Sequence, residues 1–217
     1  KLKLVLDGRA PERLLDTYDI ERTAAADENI RHSTRVADFI TPKSAVERAF
    51  RDAVLDLARY HPFARRLVNS ERLPVPTVLT ESPLNTADAD QFKGAMAPGT
   101  PAADAPVTGP GAKWFIDYIR SVFTLVTFGA VVPADAAAML FRGPIRCRVV
   151  QVSPGAVRST ADSQVVIGDS AGLLASRYDG RPGTCYLFRP DQHVCARWRT
   201  FDLAAVRAAI ARATGNA

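Results

Sequence analysis

The stretch that most constrains the fold lies between residues 184 and 213. Thr184-Cys185-Tyr186-Leu187-Phe188 is an aromatic and aliphatic run of strand type, and Pro190-Asp191 supplies a turn. Val194, Ala196 and Trp198 then alternate with His193, Cys195 and Arg197. Asp202 is a good helix N-cap, and Leu203, Val206, Ala209, Ile210 and Ala213 recur at helical spacing behind it. The reading is a β-hairpin closed by an amphipathic helix.

Upstream, element types alternate from Lys113 onward. Lys113 to Arg120 is a short amphipathic segment, and Phe123 to Phe128 is a β-rich run stopped by Gly129. Pro133 to Phe141 reads as a helix, Ile145 to Val152 as a buried strand, and Val165-Val166-Ile167 as a short additional strand. Ala171 to Tyr178 reads as a helix, stopped by Asp179-Gly180-Arg181-Pro182-Gly183. The expected fold class is α/β, with the order β-α-β-α-β-β-α of a thioredoxin-like domain: a parallel pair, then an antiparallel pair, with helices on both faces.

The front of the chain is of another kind. Lys1 to Leu6 reads as the last turns of a helix that began earlier, with Gly8 suited to its C′ position and Pro11 to the first turn of the next. Apolar markers from Leu14 to Ile30 predict a long helix over 12–39, broken by Thr41-Pro42; a second helix runs through Val46 to Ala58, and a third over 62–68. Between Asn69 and Gly111 seven prolines fall among Ala, Thr, Asp and Gly. That segment is either a structureless linker or one that wraps the next domain, and Phe92, Met96 and Val107, which need cover, favour the second. The expected organisation is a helical segment at 1–70, a Pro-rich linker at 71–111 and a thioredoxin-like domain at 112–217.

Charge excludes less than it first suggests. The net charge is +5, yet only five of the 28 basic residues are lysine, and no run of four basic residues occurs. Without a basic stripe interleaved with aromatics, nucleic acid is not an expected partner. No window approaches the eighteen apolar residues of a membrane span, so no membrane partner is expected and the expected location is cytoplasmic.

The chemistry is conspicuous by what is missing. A working thioredoxin carries C-x-x-C just after its first core strand, at a helix N-terminus that lowers the thiol pKa. Gly129-Ala130-Val131-Val132-Pro133-Ala134 stands there, without cysteine, serine or histidine. Pro182 falls near the place where such folds carry a cis-proline. Cys147, Cys185 and Cys195 each sit in an apolar run and read as buried small hydrophobes, with Cys185 and Cys195 able to face each other across the hairpin. His32, His61 and His193 read as solvated or capping residues, and Asp162, Asp169 and Ser170 as loop polarity beside Gly168. Gly94, Gly99, Gly109 and Gly111 match neither a phosphate loop nor a dinucleotide fingerprint. Glu21-Arg22 reads as a source of local helical ion pairs with Asp19, worth little. No catalytic, cofactor-binding or metal-ligating residue is assigned.

Two distant segments carry a resemblance. Gly8-Arg9-Ala10-Pro11 followed by Leu14-Leu15-Asp16-Thr17-Tyr18-Asp19-Ile20-Glu21-Arg22, with Asp38-Phe39-Ile40-Thr41-Pro42, resembles the end of the FAD domain in class A flavoprotein aromatic hydroxylases of the phenol hydroxylase and phenylpropionate hydroxylase branch. Asp169 to Tyr178, Arg181-Pro182-Gly183-Thr184 and Leu187-Phe188-Arg189-Pro190-Asp191 resemble the C-terminal thioredoxin-like domain of the same enzymes. The resemblance implies a parent enzyme that binds FAD, reduces it with NADH or NADPH, and hydroxylates a phenolic ring with oxygen. It also implies that this chain's part is structural, packing against the catalytic domains or a second subunit as a homodimer. The chain lacks the G-x-G-x-x-G after a strand and the Asp-Gly and Gly-Asp motifs of that family. A free-standing, non-redox thioredoxin-like binding module is the alternative, and a peroxidatic enzyme using one of the three cysteines is a third reading. Arg146 and Arg148 flank Cys147 but belong to the opposite face of its strand.

Overall fold

A computed structural model describes residues 1–69, 76–94, 96–155, 158–161 and 163–217. Among these, six strands form one mixed sheet: β1 (Phe123–Phe128), β2 (Cys147–Ser153), β3 (Arg158–Ala161), β4 (Gln164–Gly168), β5 (Cys185–Phe188) and β6 (Val194–Trp198), in the order β3-β4-β2-β1-β5-β6. All six residues of β1 are buried, as a run of β-branched and aromatic residues requires of a central strand. It pairs in parallel with β2 and antiparallel with β5, while β4 extends the parallel part beyond β2. The hairpin β5–β6 turns through Pro190-Asp191, with Gln192 at φ 67°.

Seven helices accompany the described strands: α1 (Leu2–Leu6), α2 (Asp16–Ile40), α3 (Ala45–Tyr60), α4 (Pro62–Asn69), α5 (Ala134–Arg142), α6 (Leu173–Arg177) and α7 (Leu203–Ala213). Short 3-10 turns stand at Glu12–Leu14 and Phe115–Tyr118. Period-two alternation along the strands sorts the core into two layers. Phe123, Leu125, Val149 and Leu187 pack with Ala137 and Leu140 of α5 and Val206 and Ile210 of α7. Val126, Phe128, Val150 and Ile167 face the other way, onto Leu174, Tyr178, Phe115 and Ile119.

The helix ends follow their residues. Gly8, at φ 68°, closes α1: its N–H reaches Val5 O and that of Arg9 reaches Leu4 O. Ser44 and Glu47 form a reciprocal capping box on α3, and Asp202 accepts from the amides of Ala204 and Ala205 to start α7.

Residues 78–94 and 96–111 run along the sheet rather than away from it. The Gly99 amide donates to Val194 O and the Val194 amide to Thr100 O; Thr86 donates to Cys195 O and Ala102 to Gln192 O. The outer edge of β6 is thereby covered, which removes a row of open donors and acceptors from solvent. Arg197 holds Asp88, and the ring of Phe92 lies between Arg197 and Arg199, whose guanidinium carbons are 4.2 and 3.9 Å from its centroid. At the far end, Thr108 and Gly168 exchange backbone hydrogen bonds.

By packing, the chain forms two compact units: residues 1–21 with 78–217, and residues 22–77. One boundary between these units falls within α2. The second unit is the remainder of α2 with α3 and α4, and it leaves Ile30, Val46, Phe50, Tyr60 and Phe63 more than half exposed.

Several expectations are corrected. β3 was not anticipated, because Arg158-Ser159-Thr160-Ala161 has no apolar alternation. Cys185 stands opposite Trp198, and Leu187 opposite Ala196, with an irregularity at Phe188; the two hairpin cysteines therefore do not face each other. The peptide before Pro182 is trans. Asp162, and Pro74 with Val75 of the Pro-rich segment, lie outside the described residues.

Candidate functional site

The loop after β1 is where a thiol active site would stand. Gly129 takes φ 60°, and its Cα faces the ring of Pro182, which a Cβ would meet at 3.5 Å. Val132 is buried and Pro133 caps α5 without a side-chain bond, so no titratable group stands between β1 and α5. The three thiols are free and buried. Burial pushes Cys147 and Cys185 up to about 12 and raises Cys195 further still, so none is a thiolate near neutrality.

The remaining candidates are occupied locally. His32 lies 3.9 Å from Glu28 one turn away, and His61 ends α3 with its ring beside Phe63. His193 Nδ1 lies 3.5 Å from Asp191 in the hairpin turn. Asp169 is buried and accepts from the amides of Leu174 and Ala175, which makes it the cap of α6 rather than an acid; Ser170 is exposed beside it. Among the described residues no group of His, Cys, Asp and Glu could hold a metal ion, and no helix is long and apolar enough to cross a membrane.

What the fold does assemble is a buried junction of charges around Glu21. The residue is 7% exposed and accepts from Arg189 Nη1 at 2.5 Å and Nη2 at 3.0 Å, from Lys1 Nζ at 2.7 Å and from Ser82 Oγ at 2.5 Å. Arg189 also holds Asp191, and Lys1 also reaches Thr17 Oγ1. Four segments thus meet at one carboxylate: the first residue, α2, the Pro-rich segment and the hairpin. Burial would raise the Glu21 pKa, but hydrogen bonds and charge from Arg189, with Lys1 and Ser82, outweigh it and hold the group at about 2. The same balance lowers Asp191 and raises Arg189, while burial lowers Lys1.

The expectation that Glu21-Arg22 serve only local helical ion pairs fails for Glu21, which points inward to Arg189, Lys1 and Ser82. The signal was present: Leu14, Thr17 and Glu21 fall at spacings of three and four, and all three are buried. Chemically, the junction fixes the relative placement of segments; it holds no nucleophile and no open acid.

No family model matches the chain. It is 29% identical over 216 residues to a 3-(3-hydroxy-phenyl)propionate/3-hydroxycinnamic acid hydroxylase of Mycolicibacterium gilvum, covering 90% of this chain and 36% of the relative. The hydroxylase of that name from Escherichia coli is 26% identical over 207 residues, with the same two coverages. In solved structures the flavin-dependent monooxygenase PieE, bound to FAD and substrate, superposes over 100% of this chain and 42% of its own, with TM-score 0.62 and 18% identity. The rebeccamycin biosynthetic enzyme RebC, with reduced flavin, does so over 99% and 38%, with TM-score 0.63 and 19% identity. The chain is similar to the C-terminal part of flavin-dependent aromatic hydroxylases. It spans little more than a third of the length of the curated relatives it matches. Both segments that meet at Glu21 and Arg189 lie inside that similarity, which runs through nearly the whole chain.

Proposed function

We propose that this chain is the C-terminal, structural portion of an FAD-dependent monooxygenase that hydroxylates a phenolic substrate with NAD(P)H and oxygen. On this reading residues 1–70 end the FAD-binding domain, 71–111 are the linker, and 112–217 are a thioredoxin-like domain without its redox pair. The observation that carries it is the buried Glu21–Arg189 junction, which joins the segment resembling the end of the FAD domain to the hairpin of the following domain.

The strand order β2-β1-β5-β6, with β5 antiparallel to β1 and a helix after β6, supports the thioredoxin-like assignment. Pro182 beside the loop after β1 supports it too. FAD itself does not fit the β1–α5–β2 crossover of this chain. A dinucleotide cradle needs glycines and free amides at the start of the helix. Here Val132 fills that space and Pro133 has no N–H to offer. The flavin and the reduced nicotinamide are accordingly assigned to the rest of the parent, and the chain alone is expected to be inactive.

A flavin titration of this chain beside the complete product of its gene tests the reading. Quenched flavin fluorescence with the complete product alone is the expected result; tight binding of FAD to the 217-residue chain would overturn it. Light scattering of the complete product tests the homodimer that the resemblance implies.

A further inference from the structure

A second feature owes nothing to the junction. Where α1, α5 and α7 end, a groove of about 580 Å³ opens, adjoined by a hollow of about 390 Å³ that shares Arg9, Arg142, Gly143 and Pro144 with it. The floor is apolar: Leu140 and Ile210 are buried, Ile145 is half-buried, and Met139 is 53% exposed above them. The rim is basic, with Arg9, Arg142 and Arg207 around the groove and Arg146 at the hollow. Neither is lined by an aspartate or a glutamate.

Arg142, Arg146 and Arg207 differ from five other arginines of the same unit. Arg120, Arg181, Arg189, Arg197 and Arg199 each pair with a carboxylate. Among the described residues, Arg142, Arg146 and Arg207 have no carboxylate partner and no side-chain hydrogen bond; Arg9 is attracted by the neighbouring Asp7 without hydrogen-bonding it, and Arg146 lies over the ring of Phe141, at 4.8 Å.

Helix carbonyl ends attract cations and account for part of the arrangement. They do not balance it. In the last turn of α7 the carbonyls already accept from the amides of Thr214, Gly215 and Asn216, and Arg13 holds Gly215 O. Three helix ends together offer about one and a half charges, against four whole ones on the rim. Like charges gathered over an apolar, concave floor repel one another, and an anion with an apolar body relieves both defects at once.

We propose that this groove binds a small organic anion, a carboxylate borne on an aromatic or alkyl body. The body rests on Leu140, Ile145 and Ile210, and the carboxylate sits among Arg9, Arg142 and Arg207. Arginine suits this task because its planar donors meet a carboxylate two at a time.

The test is a titration of the 217-residue chain with phenylbutyrate, followed by amide NMR. Saturable shifts are expected at Gly143, Ile145, Arg207 and Asn216, with millimolar or tighter affinity, on the order of 4 kcal/mol or more. The uncharged isostere phenylbutanol and the double variant Arg142→Ala/Arg207→Ala should each bind at least tenfold more weakly, tenfold being about the effect of one lost charged hydrogen bond. Both substitutions are at exposed positions, and circular dichroism of the double variant is the check that it folds. The proposal fails on any of three outcomes: no saturable shift at those amides, equal binding of the alcohol, or equal binding by the folded double variant.

Discussion

Glu21 and Arg189 stand 168 residues apart in the chain and share two hydrogen bonds, at 2.5 and 3.0 Å, with both side chains buried. Removing one partner of such a pair leaves the other charge uncompensated in a medium that solvates it poorly. Glu21→Gln should therefore cost about 3 kcal/mol of stability in urea unfolding, far above an exposed ion pair. A loss below about 1 kcal/mol would show that the junction is solvated in the native state.

The same carboxylate gives the protein an acid dependence with a definite sign. The folded pKa of Glu21 is about 2 against an ordinary 4.5, so the unfolded chain takes up its proton first. Its contribution is fully present above pH 4.5 and is lost as the pH falls towards 2. Melting temperatures recorded from neutrality down to about pH 2 should fall through that window, and fall less steeply in Glu21→Gln. Parallel curves for the two proteins would mean that other carboxylates carry the whole effect.

Thiol reactivity should follow unfolding rather than pH. Burial holds Cys147 and Cys185 at about 12, and Cys195 is buried as well. An aromatic disulfide reagent at mildly alkaline pH should label none of the three in native protein and all three in denaturant. Rapid labelling of one thiol in the native state would revive the peroxidatic reading.

Gly99 is the tight point of the strap over β6. It takes φ 93°, and a Cβ there would lie 2.4 Å from the carbonyl oxygen of Leu79, a backbone atom with no room to retreat. Gly99→Ala should cost about 2 kcal/mol and open residues 78–102 to limited proteolysis. Gly8→Ala, at φ 68° but with open space around it, should cost about 1 kcal/mol and leave the strap protected.

The hairpin and its closing helix were legible because each is written in local chemistry: alternation, a Pro-Asp turn and the Asp202 cap. The central strand was legible because six consecutive residues from Phe123 to Phe128 suit burial on both faces. β3 was not, since Arg158 to Ala161 becomes a strand only by pairing with β4, a property of the partner. The Glu21 junction escaped for a related reason. Reasoning about near neighbours goes no further than charges such as Asp19 and Arg22, whereas Arg189 lies in another element, and only the buried stripe through Leu14 and Thr17 marks the side on which to look. The facing of Cys185 and Cys195 failed because the hairpin connection runs from Arg189 to His193, so that Phe188 stands opposite Val194 and Cys185 opposite Trp198. The arginine groove is invisible in one dimension, because Arg9, Arg142 and Arg207 come together only when three helix ends converge.

Arg13 donates to the backbone oxygens of Gly215 and Ala217, and the Asn216 side chain donates to Arg9 O. During synthesis, then, residues 9–13 leave the ribosome about two hundred residues before the groups that complete them. Until the residues after α7 emerge, Arg13 lacks the backbone oxygens of Gly215 and Ala217 that it holds in the folded chain. A truncation of residues 215–217 would therefore be felt at Arg9 and Arg13, about two hundred residues away.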